Sequence, residues 1–263
     1  MKIKPKKSLG QNFLIDKNII NMIVNSVSIK KNDILLEVGP GTGNLTEKIL
    51  LKKPKKIIVV EKDKLLAKKL LEKFNNKIEI INDDILKINE EKIFKSKIIV
   101  FGNLPYNIST QILAKWIKLK NLNFIFKKLI LMFQKEVADR ILATTGEKQY
   151  GRLSILSAWK MNVTKIKEVS PNSFYPSPKI KSTILLFEPK KNFFNIKYPK
   201  NLEFVTNTFF GQKRKMIKRP LKTIFNNIDK ISNKLSIDIT KRPQNLPPEI
   251  YFQICKEYED LFF

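Results

Sequence analysis

The residues with the clearest chemistry in this chain are Asn103, Leu104, Pro105 and Tyr106, which follow the run Ile98-Ile99-Val100-Phe101 and Gly102. Four apolar residues, three of them β-branched, read as an interior parallel strand that stops at Gly102 and presents the tetrapeptide at its carboxyl end. In an open α/β sheet, ligands sit at that end. Asn103 offers a neutral amide oxygen. Pro105 biases Leu104 toward an extended conformation, which gives the Leu104 carbonyl a defined direction. Two acceptors beside an aromatic ring suit an exocyclic amine on a planar ring. Both N–H groups are held, the nitrogen lone pair is turned out of conjugation, and Tyr106 stacks on the ring. A strand-end turn with an ordinarily packed tyrosine is the alternative for the tetrapeptide alone.

Composition removes several other chemistries. The 263 residues include no histidine and a single cysteine, Cys255, so there is no Ser-His-Asp triad, no imidazole base, no Cys/His zinc site and no internal disulfide. Any reaction has to work by positioning. The length allows one large domain, or one of ordinary size plus a small one. No apolar run is long enough to span a membrane and the N-terminus lacks a signal-type apolar stretch, so a cytoplasmic location is expected, with no membrane partner. With 51 Lys and Arg against 24 Asp and Glu, the formal charge is +27, which points to a polyanion. Only Arg140, Arg152, Arg214, Arg219 and Arg242 are arginines, and the chain is heavy in Lys, Ile and Asn. Solvated lysine faces therefore account for part of the charge.

The elements that position the tetrapeptide can be placed from pattern. A basic arm and a polar-aromatic turn, Gly10-Gln11-Asn12-Phe13-Leu14, precede a helix with Asp16 as N-cap and Ile19, Ile20, Ile23, Val24 and Val27 on its apolar face. Strand 33–38 then runs into Gly39-Pro40-Gly41-Thr42-Gly43 and a helix from about Asn44. Strand, glycine loop, helix is the layout of a nucleotide-type site. The dinucleotide fingerprint fails because its third glycine would fall on Asn44. Glu37-x-Gly-x-Gly-x-Gly resembles instead the first motif of class I S-adenosylmethionine methyltransferases, although a purely structural turn is the alternative. A second strand, 56–60, ends at Glu61, where a carboxylate can grip ribose hydroxyls. A third, 78–81, ends in Asp83 and Asp84. Either can accept from an adenine amino group, with Asp84 favoured, or serve as a helix cap. Successive strands thus deliver Gly, Glu, Asp and Asn to one edge. Further on, strands 164–169 and 180–187 flank the proline-rich loop 170–178, which would hold Phe174 rigidly; core packing is its alternative. After Glu188-Pro189 the pattern turns helical. The cluster Lys213, Arg214, Lys215, Lys218 and Arg219 is read as an RNA contact or a solvated helix face, and a last helix is entered at Pro247-Pro248.

Taken with Gln134-Lys-Glu-Val137, Tyr150-Gly-Arg-Leu-Ser154 and Phe210-Gly-Gln-Lys-Arg-Lys215, these segments closely resemble, in order and over nearly the whole chain, the KsgA/RsmA family. These are the bacterial small-subunit rRNA adenine-N6,N6-dimethyltransferases. The resemblance implies an α/β fold: a Rossmann-like class I S-adenosylmethionine-dependent methyltransferase domain over residues 1–189, with a basic arm at 1–15, and a small all-helical C-terminal domain over 190–263 that contacts rRNA. It implies S-adenosyl-L-methionine as cofactor and small-subunit (16S) rRNA or the immature small ribosomal subunit as partner; a monomer is the expectation for the chain itself. Carried over by motif, Asn12, Leu14, Glu37, Gly39, Gly41, Glu61, Asp84 and Asn103 are the expected cofactor positions. Asn103, Leu104, Tyr106 and Phe174 are the expected catalytic set, with Tyr106 and Phe174 stacking on the target adenine. Arg219 and Lys181 depart from the family pattern, each adding positive charge near the presumed RNA surface. The rival enzyme is the Erm-type large-subunit rRNA methyltransferase, against which stand Leu104, Gly10 and the Gln-Lys-Glu-Val and Gly-Gln-Lys-Arg-Lys segments. A non-catalytic assembly factor on the same fold is the rival of another class.

Overall fold

The computed structural model describes residues 5, 6 and 9–262; residues 1–4, 7 and 8 of the expected arm lie outside them. Two compact units divide the chain.

The first unit comprises the residues up to Ala138 together with Thr164–Pro189. It opens with β1 (Phe13–Leu14) and α1 (Lys17–Asn25). The Asp16 carboxylate accepts from the amides of Asn18 at 2.9 Å and Ile19 at 3.2 Å, which satisfies donors that a helix start otherwise leaves unpaired. There follow β2 (Ile34–Val38), α2 (Asn44–Leu50), β3 (Lys56–Val60), α3 (Lys64–Phe74), β4 (Glu79–Ile81), α4 (Glu90–Ile93), β5 (Ile98–Asn103), α5 (Ser109–Ile117), α6 (Leu122–Ile125) and β6 (Phe126–Gln134). The alternation of apolar strand and amphipathic helix produces a parallel sheet through β4-β3-β2-β5-β6. Later in the chain come β7 (Met161–Val169), β8 (Phe174–Tyr175) and β9 (Ser182–Pro189). β9 joins the sheet antiparallel to β6, and β7 lies beyond it. Ile98, Ile99, Val100 and Phe101 are each fully buried, as expected for a central strand covered on both faces.

The sheet order carries the functional geometry. From β2 the chain moves outward to β3 and β4, then returns to place β5 on the other side of β2. The carboxyl ends of β2 and β5 therefore flank the point where the winding reverses, which is where such sheets bind ligands.

The two units are not divided as the sequence suggests, because Asp139–Val163 groups with the residues from Lys190 onward. The cause is aromatic burial. After β6 comes α7 (Lys135–Leu142), and in this unit α8 (Arg152–Lys160) packs with α9 (Pro199–Phe210) and α12 (Pro248–Phe262). The hydroxyl of fully buried Tyr150 donates to the Leu246 carbonyl at 2.9 Å, and the Trp159 indole donates to the Phe194 carbonyl at 2.7 Å. The buried Glu259 carboxylate accepts from the amides of Lys197 and Tyr198 and fixes the start of α9. Between α9 and α12 lie α10 (Lys218–Ile224), just past Lys213, Arg214 and Lys215, and α11 (Ile228–Leu235).

Candidate active site

Parallel register aligns Val38 with Gly102 on one side and with Val60 on the other, so the residues just beyond these three strands converge. Gly39 adopts φ +68° and donates its amide to the Val60 carbonyl at 3.0 Å. A β-carbon there would stand 3.6 Å from the Asn103 carbonyl, within the space between the strand ends. Gly41, at φ +58°, turns the loop against Phe13, whose ring would lie 2.7 Å from any added β-carbon. Both positions demand a backbone that only glycine adopts without strain.

The cleft is lined by Asn12, Leu14, Glu37, Gly39, Gly41, Glu61, Asp83, Asp84, Asn103, Leu104 and Tyr106. Every expected cofactor position is therefore brought together, along with three of the four expected catalytic ones. Glu61, at the end of β3, is nearly buried and accepts from the Gly41 amide at 3.3 Å and the Asp63 amide at 2.9 Å. Burial pushes its carboxyl up, and those amides act against the rise. Glu37 lies deeper, with its Oε2 accepting from the Thr46 hydroxyl at 2.6 Å. Burial pushes it up to about 7; the Thr46 hydroxyl opposes this and the Glu61 charge adds to it. Asp84 accepts from the Lys62 ammonium at 2.8 Å and the Leu86 amide at 3.0 Å. Partial burial works against its ionisation, but these partners outweigh it and hold the carboxyl below its ordinary value. Asp84 thus supplies the local cap as well as a wall of the cleft, whereas Asp83 caps only its neighbour's amide.

At the other end, the Asn103 Nδ2 donates to the Asn12 carbonyl at 2.8 Å. The amide group is thereby oriented, and Oδ1 is the atom it has to offer. Leu104 is buried, with its side chain over Gly102. The half-buried Tyr106 shares a 2.6 Å hydrogen bond with Ser182 Oγ, which fixes the ring, and burial pushes the phenol up.

Phe174 departs from expectation. It is 3% exposed and sits in the core cluster with Leu14, Ile20 and Val24, away from the cleft lining. The cause is strand alternation: β8 pairs antiparallel with β1, setting Leu14 opposite Phe174 and Phe13 opposite Tyr175. Phe174 then faces inward and Tyr175 outward, at 59% exposure. Core packing, the alternative for this residue, describes its place.

Sequence reasoning missed the groups that hold the site from afar. Ser182 anchors Tyr106 across 76 positions, Asn44 donates to the Leu14 carbonyl at 2.9 Å, and Asn82 donates to the Glu61 carbonyl at 2.7 Å. Lys6 and Gln11 both reach Asp63, at 2.9 and 3.1 Å, and tie the arm to the start of α3. No local spacing announces such pairs; only the type of residue, polar beside a motif, offered a signal.

In the second unit, the basic cluster divides. The Lys213 ammonium donates to the Lys148 and Tyr150 carbonyls, and burial together with Arg140 and Lys148 lowers its pKa. It braces the loop before α8, which leaves Arg214, Lys215, Lys218 and Arg219 as the phosphate candidates.

These residues fit S-adenosylmethionine: glycines clear the strand ends, and a buried carboxylate and a partly buried one line the same wall. Comparison with known proteins agrees. A family model described as ribosomal RNA adenine dimethylase matches residues 2–260. A ribosomal RNA small subunit methyltransferase A from Pelagibacter ubique is 58% identical over 261 residues, covering 99% of each chain, and one from Ehrlichia chaffeensis is 42% identical, covering 96% of each. Among solved structures, a dimethyladenosine transferase from Plasmodium falciparum superposes with TM-score 0.77 at 28% identity, over 94% of this chain and 98% of that one. The 23S rRNA methyltransferase ErmE gives TM-score 0.70 at 20% identity over 94% of this chain and 100% of its own, a likeness of fold.

Proposed function

The chain belongs to the ribosomal RNA adenine dimethylase family, and we propose that it dimethylates the N6 amines of two adjacent adenosines near the 3′ end of small-subunit rRNA, using S-adenosylmethionine. It acts as a cytoplasmic monomer on the immature small subunit. Among the described residues no helix is long and apolar enough to cross a membrane. The relatives that match along the full chain are small-subunit enzymes, while the likeness to ErmE is one of fold, so the large-subunit reading has less support.

The observation that carries the reading is that β5 ends with Asn103, Leu104 and Tyr106 in the same cleft as the glycine loop. Bound S-adenosylmethionine supplies a methyl group already activated on a sulfonium centre. Glu61 accepts from the ribose hydroxyls, Asp84 or Asp83 from the adenine amine, and Asn12 and Leu14 form the facing wall. Asn103 Oδ1 and the Leu104 carbonyl accept the two N–H bonds of the target amine, and the Tyr106 ring stacks on its base. Extruding that base from its stack costs a few kcal/mol, which stacking of about 1–3 kcal/mol per base offsets. The rate then comes from alignment. The chain has no histidine, and none is needed, because the excess proton on the methylated nitrogen is acidic and leaves to water. Arg214, Lys215, Lys218 and Arg219 neutralise phosphates.

Each transfer removes one N–H donor. The second leaves both acceptors unpaired, and buried unsatisfied acceptors expel the product. Incubation with unmethylated small and large subunits and labelled S-adenosylmethionine, followed by mass spectrometry of the digested rRNA, should yield N6,N6-dimethyladenosine from the small subunit alone. Label in large-subunit rRNA would overturn the substrate, and accumulation of monomethyladenosine would overturn the two-acceptor account.

A further inference from the structure

Behind the acidic wall of the cleft lies a second charged group that the mechanism does not use. Lys115, on α5, donates its ammonium to the Ile85 carbonyl at 2.7 Å, to the Ile88 carbonyl, and to Glu90 Oε1 at 2.7 Å. Glu90 is fully buried, and the same Oε1 also accepts from the Trp116 indole at 2.6 Å. Its Oε2 is buried with no hydrogen-bond partner among the described residues. A carboxylate left half-satisfied in a fully buried place is costly, so the arrangement calls for an account beyond packing.

The positions of the three acceptors supply it. Ile85 follows directly on Asp83 and Asp84 and itself lines the cleft. The segment from Asp84 to Ile88 is a turn, closed by the Lys87 amide on the Asp84 carbonyl at 2.8 Å and the Leu86 amide on Asp84 Oδ1. On its outer side Asp84 meets Lys62, an exposed residue. On its inner side the turn is held by Lys115. That lysine belongs to the helix entered from Asn103-Leu104-Pro105-Tyr106, which begins at Ser109, whose hydroxyl donates to the Tyr106 carbonyl at 3.2 Å. One side chain thus fastens the acidic turn after β4 to the helix that follows the reacting tetrapeptide. Glu90 and Trp116 hold that side chain in place: Trp116 is fully buried against Phe126, with centroids 5.5 Å apart.

We propose that Lys115 is a positioning residue that sets the acidic turn at the distance from β5 needed to recognise the amino group of the cofactor's adenine, with Glu90 as its counter-ion. The inference rests on the assignment of Asp83 or Asp84 to that amine. Its effect is on discrimination. If the turn relaxes, the carboxylate no longer meets the exocyclic amine, and a ligand lacking that amine loses nothing by comparison.

Calorimetric titration with S-adenosylhomocysteine and S-inosylhomocysteine, which carries an oxygen in place of the amine, reads this directly. The wild-type protein should prefer the adenosyl ligand by roughly tenfold, the scale of one hydrogen bond. In Lys115→Met the ratio should fall to about twofold or less. Lys115→Met/Glu90→Gln, which removes the buried charge left behind, should show the same loss. Glu90→Gln keeps the ammonium on the Ile85 and Ile88 carbonyls and should retain the wild-type ratio. A role confined to stability would lower both affinities together and leave the ratio unchanged. A wild-type ratio in Lys115→Met, or in the double variant should the single one not fold, overturns the inference. A ratio near one in the wild type overturns the assignment of the amine to the acidic turn, and the inference with it.

Discussion

The two ends of the cleft differ in charge. On the side formed by β3, β4 and the glycine loop, the anchoring groups are carboxylates: Glu37 and Glu61 buried, Asp84 paired with Lys62 and fastened from behind through Lys115. On the side formed by β5, the groups are an amide, a main-chain carbonyl and a phenol, none carrying formal charge, and each is oriented by a neutral partner or by packing. On the proposed assignment, in which the carboxylates hold the cofactor's nucleoside and the β5 groups receive the target amine, the difference follows from what each end does. A nucleoside that arrives and leaves unchanged can be held by charge-assisted hydrogen bonds, which are roughly twice as strong as neutral ones. Where a positive charge passes from sulfur toward nitrogen, a fixed carboxylate would hold the starting state more firmly than the transition state, and only interactions that strengthen in the transition state raise the rate. Neutral acceptors on the receiving nitrogen do so.

The largest effect should come from breaking the neutral end. Asn103→Ala should lower single-turnover methylation on the order of 10²–10³-fold, the scale seen when one preorganised group is lost. S-adenosylhomocysteine affinity should fall by far less than the rate, through the lost hold on the Asn12 carbonyl. A variant that methylates at near wild-type rate would remove the distinction between the ends.

Titration separates them next. The Glu37 carboxyl holds its proton more tightly in the folded chain, at about 7 against an ordinary 4.5. Its contribution to stability is therefore fully present below pH 4.5 and is lost as pH rises to about 7, a swing of about 3 kcal/mol. Glu61 is shifted in the same direction. Urea unfolding at pH 5 and pH 7.5 should show a smaller decline with pH in Glu37→Gln than in wild type. Equal declines would mean that this buried carboxyl is not the titrating group.

Glu61→Ala should weaken S-adenosylhomocysteine binding by about 1–3 kcal/mol, as expected for hydrogen bonds to a charged group. Affinity equal to wild type would show that Glu61 serves the loop amides alone. The smallest effect is expected at Ser182→Ala, which frees the Tyr106 hydroxyl. The cost is about 0.5–1.5 kcal/mol and should appear in methylation rate with cofactor affinity unchanged. A change in cofactor affinity instead would place Tyr106 on the binding side of the comparison.

Much of the first unit was legible because its signals are local. Apolar runs ending in Gly39, Glu61, Asp84 and Asn103 place strands and ligand edge together, since a parallel strand and its carboxyl end are read from consecutive residues. Asp16 and Pro248 mark helix starts by their own side chains. What escaped depends on pairings distant in sequence. The two-residue strands β1 and β8 have no periodicity to detect, yet their register turns Phe174 into the core. Likewise, nothing in Tyr150 or Trp159 reveals that their hydroxyl and indole meet the carbonyls of Leu246 and Phe194, contacts that group the segment around them with the helical unit although it precedes β9 in the chain.

The pairing of β1 with β8 also bears on the order in which the protein becomes competent during synthesis. Asp16 accepts from the Ser173 hydroxyl at 3.0 Å, across 157 positions, and the amides of Ile15 and Asp16 donate to the Ser173 carbonyl. The wall of the cleft that contains Asn12 and Leu14 is bonded by Asn103 and Asn44 from the earlier part of the chain, but its strand partner and the Ser173 contacts arrive only when the residues around Ser173 have been delivered. Long-range contacts of this kind form late. A nascent chain that reaches only β6 already carries the glycine loop, Glu61, Asp84 and Asn103, but lacks β8, the strand that pairs with Phe13 and Leu14. Phe13 and Leu14 thus gain their last strand contact from a segment about 160 positions further on, and the cofactor wall is braced from both an early and a late part of the chain.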